Sequence, residues 1–196
     1  MWRRYFDEND ESKPGWRALY KLPAKKQSGD LQWRILHGAV AVNALVSKFN
    51  STVSNVCPFC GKIETIAHCF LECDRIDALF GTLESLFSLF EERWSKIVFI
   101  YGAGYRRNNA SKWQLLNFLL GEAKLAIYLT RRNRVEREVV QDLVSVFISL
   151  VRARVWIDFK FHKLMKNMDI FVEQWCYNDV ICSVVDETLC FGLVFV

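Results

Sequence analysis

Three cysteines and a histidine are the residues of this chain whose types and spacing best suit chemistry. Cys57, Cys60, His68 and Cys73 follow the pattern C-x2-C-x7-H-x4-C. Two thiolates on a tight turn can face one ion, Gly61 allows that turn to close, and a short helical turn can aim the other two donors back. Four soft N and S donors suit Zn²⁺. A closed set of four indicates a structural site, because catalytic zinc keeps a position open for water or substrate.

The spacing leaves alternatives. Cys69 could take the place of His68, which would give C-x2-C-x8-C-x3-C. The thiols could also be ordinary buried cysteines, or Cys57 and Cys60 could form a disulfide. The N-terminus shows no signal peptide, and the count of 7 cysteines is odd. Both features favour an intracellular protein, nuclear or cytoplasmic, with reduced thiols that are free to bind metal.

Basic residues suggest a second kind of chemistry, contact with nucleic-acid phosphates. The net charge of +4 over 196 residues is mild support only. The same residues could equally form solvated helix faces or compensate helix dipoles. The candidate phosphate-binding residues are Arg106, Arg107, Arg131, Arg132, Arg134 and Arg137.

The chain carries no recognisable catalytic constellation. Adjacent carboxylates such as Glu91-Glu92 and Asp186-Glu187 fit solvated surface pairs better than a two-metal centre. Gly102-Ala103-Gly104 lacks the lysine of a phosphate-binding loop. His37 and His162 are expected to be packed core residues. We therefore expect a protein that is not an enzyme, with no catalytic residue.

The tryptophans are expected to divide between the core and the surface. Trp16 and the nearby Tyr20 are the candidates for exposed stacking. The tryptophans expected in the core are Trp33, Trp94, Trp113, Trp156 and Trp175.

Composition favours a mainly α fold. The chain is 52% hydrophobic, with only 9 Gly and 3 Pro, which excludes disorder and leaves little room for the turns of an all-β fold. Residues 122–175 contain neither Gly nor Pro. The longest apolar stretch, 139–151, is too short and too interrupted to span a bilayer. We expect neither a transmembrane segment nor a membrane partner.

Hydrophobic periodicity places the elements. It predicts helices over about 31–49, 74–91, 111–132 and 137–175. Apolar runs on either side of Asp186-Glu187-Thr188 predict a β-hairpin. The expected fold is a helical domain organised around one small structural zinc site, closed by a short C-terminal β-hairpin. The expected divisions are an N-terminal arm at 1–30, a zinc-binding region at 31–100 and a helical region with the hairpin at 101–196.

Several motifs surround the four metal-ligand candidates and belong to one longer pattern. They are Trp16, Leu19-Tyr20-Lys21-Leu22-Pro23, Leu31-Gln32-Trp33-Arg34-Ile35-Leu36-His37-Gly38-Ala39, Asn43, Cys57-Pro58-Phe59-Cys60, Glu64-Thr65, His68 and Cys73. Together they resemble the zinc-binding region that follows the reverse transcriptase in LINE-type (non-LTR) retrotransposons. The later segments, 116–119 and 123–134, and the terminal hairpin are similar to the ends of such reading frames in fish genomes, so the resemblance runs from about residue 16 onward.

The resemblance implies a C-terminal accessory module of a multifunctional element protein. Such zinc regions are thought to help the polymerase hold RNA or target DNA. The resemblance favours His68 over Cys69 as the third ligand, and only the zinc ligands carry over residue by residue. The chain has neither the Tyr-x-Asp-Asp tetrad of the polymerase nor an endonuclease domain, so neither activity carries over.

The resulting hypothesis is a non-catalytic, zinc-stabilised module from a retrotransposon reverse transcriptase that assists RNA or DNA binding. Its partners would be RNA or DNA and a polymerase domain of the parent element. Two alternatives stand beside it. One is a zinc-stabilised protein-interaction or adaptor module, with the helix from Arg137 as its partner face. The other is a decayed retroelement fragment without a selected role.

Overall fold

The computed structural model describes residues 2–6, 13–16, 19–104 and 108–196. The chain is mainly α-helical, as the composition predicts. The α-helices are α1 (Trp2–Tyr5), α2 (Lys26–Leu36), α3 (Asn43–Val46), α4 (Asp77–Leu89), α5 (Lys96–Tyr101), α6 (Ala110–Arg137), α7 (Leu143–Leu164) and α8 (Met168–Trp175). Short helical turns lie at His68–Glu72, Asp74–Ile76, Tyr177–Asp179 and Leu193–Phe195.

The predicted C-terminal hairpin is present. Strand β1 (Cys182–Val185) pairs antiparallel with β2 (Thr188–Phe191). The two-residue turn between them places Asp186 and Glu187 at positive φ, as hairpin turns of this length require. A two-stranded hairpin is marginal alone, and here β1 contacts α8 while β2 contacts α7. The fold class expected from the sequence is therefore confirmed.

Two of the predicted helices are wrong in extent. The helix expected over 31–49 ends at Leu36, because Gly38 turns the chain at φ 69°. The breaker-free stretch after Arg137 forms α7 and α8 instead of one helix. Glu138 and Lys166 adopt positive φ, and the Asp142 carboxylate caps α7 by accepting from the Ser145 amide at 2.7 Å. A chain without Gly or Pro can still turn, because a side-chain cap and left-handed residues supply the break.

Helix α6 is the central element. Its middle is buried on nearly every side, with Leu115, Phe118, Leu119 and Ala126 all inaccessible to solvent. Helices α2, α7 and α8 pack around it. The Phe118 ring meets Trp175 of α8 edge to face, with 5.0 Å between the ring centroids. One continuous apolar cluster joins α2, α4, α6, α7 and the hairpin.

Polar groups are buried where α2 meets α6. The Glu122 carboxylate accepts from Ser28 at 2.7 Å and from Lys25 at 3.2 Å. The Lys124 amine donates to the Gln32 side-chain oxygen. Lys124 is 2% exposed, and this burial lowers its pKa to about 7. Folding therefore disfavours the charged form of this lysine, which is buried between α2 and α6.

We expect Lys124 to make stability dependent on pH. Its folded pKa lies below the unfolded value of 10.5, so between about pH 7 and 10.5 the unfolded chain binds more protons and stability rises with pH. The slope for one such group is at most about 1.4 kcal/mol per pH unit. In urea titrations from pH 7 to 9, Lys124→Met should flatten this rise. Lys26→Met, at an exposed position of α2, should keep it. Parallel slopes for the two variants would contradict the assignment.

Candidate metal centre and its anchor on the long helix

Cys57 and Cys60 lie on a tight hairpin that begins with an isolated bridge between Val56 and Ile63. The Cys57 amide donates to the Lys62 carbonyl at 2.7 Å, and the Gly61 amide donates back to the Cys57 carbonyl at 3.0 Å. Gly61 adopts φ +75°, the left-handed region that glycine enters without strain. The turn closes as the spacing predicts, and it presents both thiols on one side.

The other two donors come from the helical turn His68–Glu72 and its end. The Thr65 hydroxyl caps the turn by accepting from the His68 amide at 3.0 Å. The Cys73 amide donates to the His68 carbonyl at 3.0 Å, a five-residue, π-type hydrogen bond. Such wide turns are frequent at functional sites. Here the extra residue allows His68 and Cys73 to face the hairpin together.

The four donors fit one tetrahedral ion. Their ligand atoms all lie within 4.8 Å of one another. Sγ of Cys73 is 3.8 Å from Sγ of Cys57 and 3.9 Å from Sγ of Cys60. A Zn–S bond of about 2.3 Å implies tetrahedral S–S edges of about 3.8 Å. The Cys60 Sγ to His68 Nε2 distance of 3.2 Å is within a few tenths of the edge expected for a mixed N and S pair. The cluster is positioned to bind one zinc ion.

The geometry also separates His68 from Cys69. The His68 imidazole lies in the cluster, whereas the Cys69 thiol does not belong to the group of converging donors found among the described residues. Cys69 is 3% exposed and packs in the apolar core. Burial, reinforced by the charge of Glu64, raises the pKa of the Cys69 thiol to about 12. Cys69 is therefore a neutral core residue in this arrangement.

A buried ion pair anchors the metal-binding segment to α6. Glu64 stands between the two halves of the cluster in sequence and is 1% exposed. Its carboxylate accepts two hydrogen bonds of 2.7 Å from the Arg131 guanidinium near the end of α6. Burial opposes the charge on Arg131, but the hydrogen bonds and charge of Glu64 outweigh it, so the pKa of Arg131 is raised. This is the two-pronged geometry that makes Arg–carboxylate pairs strong and directional.

Asn43 completes this anchor. Its side-chain oxygen accepts from Arg131 at 2.8 Å, and its amide NH₂ donates to the Val56 carbonyl at 2.7 Å. Its backbone N–H donates to Glu64 at 2.7 Å. One asparagine thus connects the base of the cysteine hairpin, the buried carboxylate and α6. A buried pair is tolerated only when such additional hydrogen bonds satisfy it.

Arg75 makes a second connection from the far side of the cluster. Its guanidinium donates to the Thr130 hydroxyl at 2.8 Å and to the Ile127 carbonyl at 3.0 Å, both on α6. The guanidinium carbon also lies 4.1 Å from the centre of the Phe59 ring, in the cysteine hairpin. Arg75 therefore holds the hairpin and α6 together by a stacked cation and two hydrogen bonds.

The structure places the predicted arginines in different environments. Arg131 is 7% exposed, and its Nε and Nη2 groups donate to Glu64 and Asn43, so the guanidinium contributes to the packing of the zinc segment on α6. Arg132 is partly exposed and makes one long contact of 3.8 Å with Glu136. Arg134 donates to the Glu138 carbonyl at 3.1 Å, and Arg137 is exposed. Arg106 and Arg107 lie outside the described residues.

The aromatic expectations hold in part. Trp113 and Trp175 are buried, and Trp16 and Tyr20 are exposed, as predicted. The prediction that Trp33 and Trp156 are buried is wrong, because they are 46% and 47% exposed. His37 is also exposed instead of packed in the core. Apolar periodicity misled here, since both tryptophans lie near the edge of a helix stripe where burial depends on the neighbouring element.

Sequence reasoning did not identify Asn43, Glu64 and Arg75 as determinants of the site. Asn43 and Glu64 are part of the motif set that carries the family resemblance, which was the available signal. Arg75 gives no signal, because a lone arginine two residues after Cys73 is unremarkable without knowing that α6 lies beside it.

Comparison with known proteins supports the assignment of the cluster. Residues 1–79 match the family model described as zinc-binding in reverse transcriptase. The chain is also 33% identical over 184 residues, 94% of its length, to the Transposon TX1 uncharacterized 149 kDa protein of Xenopus laevis. The chain spans 14% of that relative's length. No solved structure matches the chain. Among the described helices, none is both long and apolar enough to cross a membrane.

We expect one zinc ion per chain, held through His68 and not Cys69. His68→Ala should reduce the zinc content measured by atomic emission to well below one equivalent and lower the melting temperature, because ligand loss removes binding energy that also stabilises the fold. Cys69→Ala should keep one equivalent. Cys190→Ser, at an exposed cysteine of β2, is the control for loss of a thiol. Retained zinc in His68→Ala together with loss in Cys69→Ala would reverse the assignment.

We expect the Glu64–Arg131 pair to be strongly coupled. Glu64→Gln or Arg131→Met should each lower the free energy of unfolding by about 3–5 kcal/mol, because each leaves a buried group without its partner. The double variant should cost clearly less than the sum of the two. The exposed Lys62–Asp74 pair, 3.5 Å apart, is the matched control and should show coupling near zero. Additive losses at Glu64 and Arg131 in urea titrations would contradict the anchor.

Proposed function

Residues 1–79 of this chain form a reverse-transcriptase zinc-binding region, and from that premise we propose that the protein is a non-catalytic module that assists RNA or DNA binding by a retrotransposon reverse transcriptase. The zinc cluster would be structural: four protein donors close the shell, and no position is left for a substrate. When bound, zinc supplies a fixed point that orders the segment from the hairpin to Cys73.

The observation that carries this proposal is where the zinc segment is anchored. Glu64 and Arg75 form hydrogen bonds with α6 within its last three turns. The residues that they contact there are Ile127, Thr130 and Arg131. The helix then continues to Arg137 with a run of arginines. A helix end normally frays. Anchoring the preceding turn fixes the orientation of the last helical turns, which carry these arginines.

The charge pattern suits phosphate contact. Arg132, Arg134 and Arg137 follow the anchor along α6. Within the part of the chain that the structure describes, Arg132 lies 3.8 Å from Glu136 and Arg134 donates to the Glu138 carbonyl. Weak exposed contacts of this kind contribute little and exchange readily for phosphate oxygens. Arg131 is excluded from this set because it is occupied in the anchor. The proposed phosphate-binding residues are thus Arg132, Arg134 and Arg137, with Arg106 and Arg107 retained as sequence-based candidates.

A protein-interaction module is the second candidate, and one surface favours it. The outer face of α7 carries apolar side chains at helical spacing that are more than half exposed: Ile157, Phe161, Leu164 and Met165. Exposed apolar stripes of this kind mark interaction sites more often than chance. The stripe would bind a polymerase domain of the parent element, and this role is compatible with nucleic-acid contact at the end of α6.

We expect salt-dependent binding to a fluorescently labelled single-stranded RNA. Replacing Arg132, Arg134 and Arg137 together by Gln should lower the magnitude of the slope of log Kd against log salt by about 2, because each phosphate contact on a single strand contributes about 0.7. A charge-matched triple variant, Lys26→Gln with Arg93→Gln and Lys166→Gln, removes three exposed cations from other elements and should leave the slope unchanged. Absence of binding at low salt, or binding without a salt slope, would refute the proposal.

A further inference from the structure

Three aromatic rings form a half-exposed cluster at the C-terminal end of α2, which we name the aromatic platform: Trp16, Trp33 and His37. Trp33 and His37 stand one helical turn apart, with ring centroids 4.3 Å from each other. Trp16 joins from the segment before α2, with its ring centroid 5.4 Å from that of His37. Trp16 and Trp33 are 47% and 46% exposed, so a large part of each indole faces solvent.

The platform is held in place although it is not buried. The Gly15 amide donates to the Tyr101 carbonyl at 2.8 Å, which ties the segment carrying Trp16 to the end of α5. The Tyr20 hydroxyl donates to Asp30 of α2 at 2.9 Å. Gly29 lets this segment approach α2, because a Cβ there would stand 2.5 Å from the Leu19 carbonyl oxygen. The backbone that carries the rings is therefore held in place before any ligand binds, which lowers the cost of binding.

The platform lies at the same end of the helix pair as the arginines. Residues that are later in α2 contact residues that are later in α6. Ser28 contacts Glu122, and the Arg34 guanidinium lies 5.6 Å from the centre of the Tyr128 ring. The two helices thus run in the same direction. By these contacts Trp33 is level with about Ile127, so Arg132 lies about five residues, roughly 8 Å along the helix axis, further along α6.

We propose that the aromatic platform stacks unpaired bases of a single-stranded nucleic acid whose phosphates lie along Arg132, Arg134 and Arg137. This inference rests on the proposed function. Aromatic faces take any base without reading its edge, and cations alongside follow the backbone, which is how proteins hold single strands without sequence preference. A duplex keeps its bases stacked inside and offers the platform nothing. The arginines at this end of the helix pair favour a polyanion over an apolar protein partner.

Trp156 is a matched control for Trp33. It lies on α7, is 47% exposed and has the Lys160 amine 4.5 Å from its ring, so it is also an exposed tryptophan beside a cation. The test measures the affinity of the full chain for a labelled pyrimidine oligonucleotide, single-stranded and as a blunt duplex, with zinc content as the check on folding. We expect the single strand to bind more tightly than the duplex.

Trp33→Ala should weaken single-strand binding about tenfold and leave the salt slope unchanged, because stacking is lost while phosphate contacts remain. Trp156→Ala should bind like the unmodified protein. Trp33→Phe keeps an aromatic face and should retain most of the affinity. Trp16→Ala tests the platform from a different segment, and it should also weaken single-strand binding if Trp33→Ala proves unstable.

The outcomes separate the two proposals. Binding with a salt slope but with equal affinities for Trp33→Ala and Trp156→Ala overturns the stacking inference and leaves the proposed function standing. Equal affinity for single strand and duplex does the same. If Trp33→Ala instead keeps oligonucleotide binding and loses binding to a polymerase segment of the parent element, the platform is a protein contact and the inference is overturned. No binding at low salt overturns both.

Discussion

The buried pair between Glu64 and Arg131 is the interaction on which the rest of the arrangement depends. A zinc cluster of four residues can order only the short segment that carries it. Glu64 converts that local order into a tertiary contact, because its two hydrogen bonds of 2.7 Å fix both the position and the rotation of Arg131 on α6. Asn43 adds one hydrogen bond to each member of the pair, and these bonds help to offset the cost of burying two charges.

In the proposed function, the zinc ion acts through this anchor and does not itself touch RNA or DNA. The zinc segment is hydrogen-bonded to α6 at Thr130 and Arg131, and the following arginines lie between that point and the end of the helix. Helix α2 runs alongside and ends with Trp33 and His37. The cations and the exposed rings therefore lie toward the same end of the pair formed by α2 and α6. Phosphate contact and base stacking would then be parts of one surface.

The α2–α6 interface and the outer face of α7 differ in polarity from this cationic, aromatic end. The α2–α6 interface buries Glu122 and Lys124, and each of them is hydrogen-bonded to a side chain of α2. The outer face of α7 carries an exposed apolar stripe, in which Leu164 is 80% exposed. The proposed roles assign the cationic, aromatic end to a nucleic acid and the apolar stripe to a polymerase domain. The chain spans 14% of the length of its relative from Xenopus laevis, a protein of 149 kDa.

The sequence alone determined the local features: the spacing of Cys57, Cys60, His68 and Cys73, the helical class and the terminal hairpin all depend on neighbouring residues. Prediction from the sequence failed where contacts between distant segments determine whether a side chain is buried or paired. The periodicity around Trp33 predicted burial, but none of the described elements covers that side of α2. Arg131 was predicted to contact phosphate, but it pairs with Glu64, which is 67 residues away in sequence. Burial and pairing are properties of contacts between segments, and a side chain's type does not state which partner will reach it.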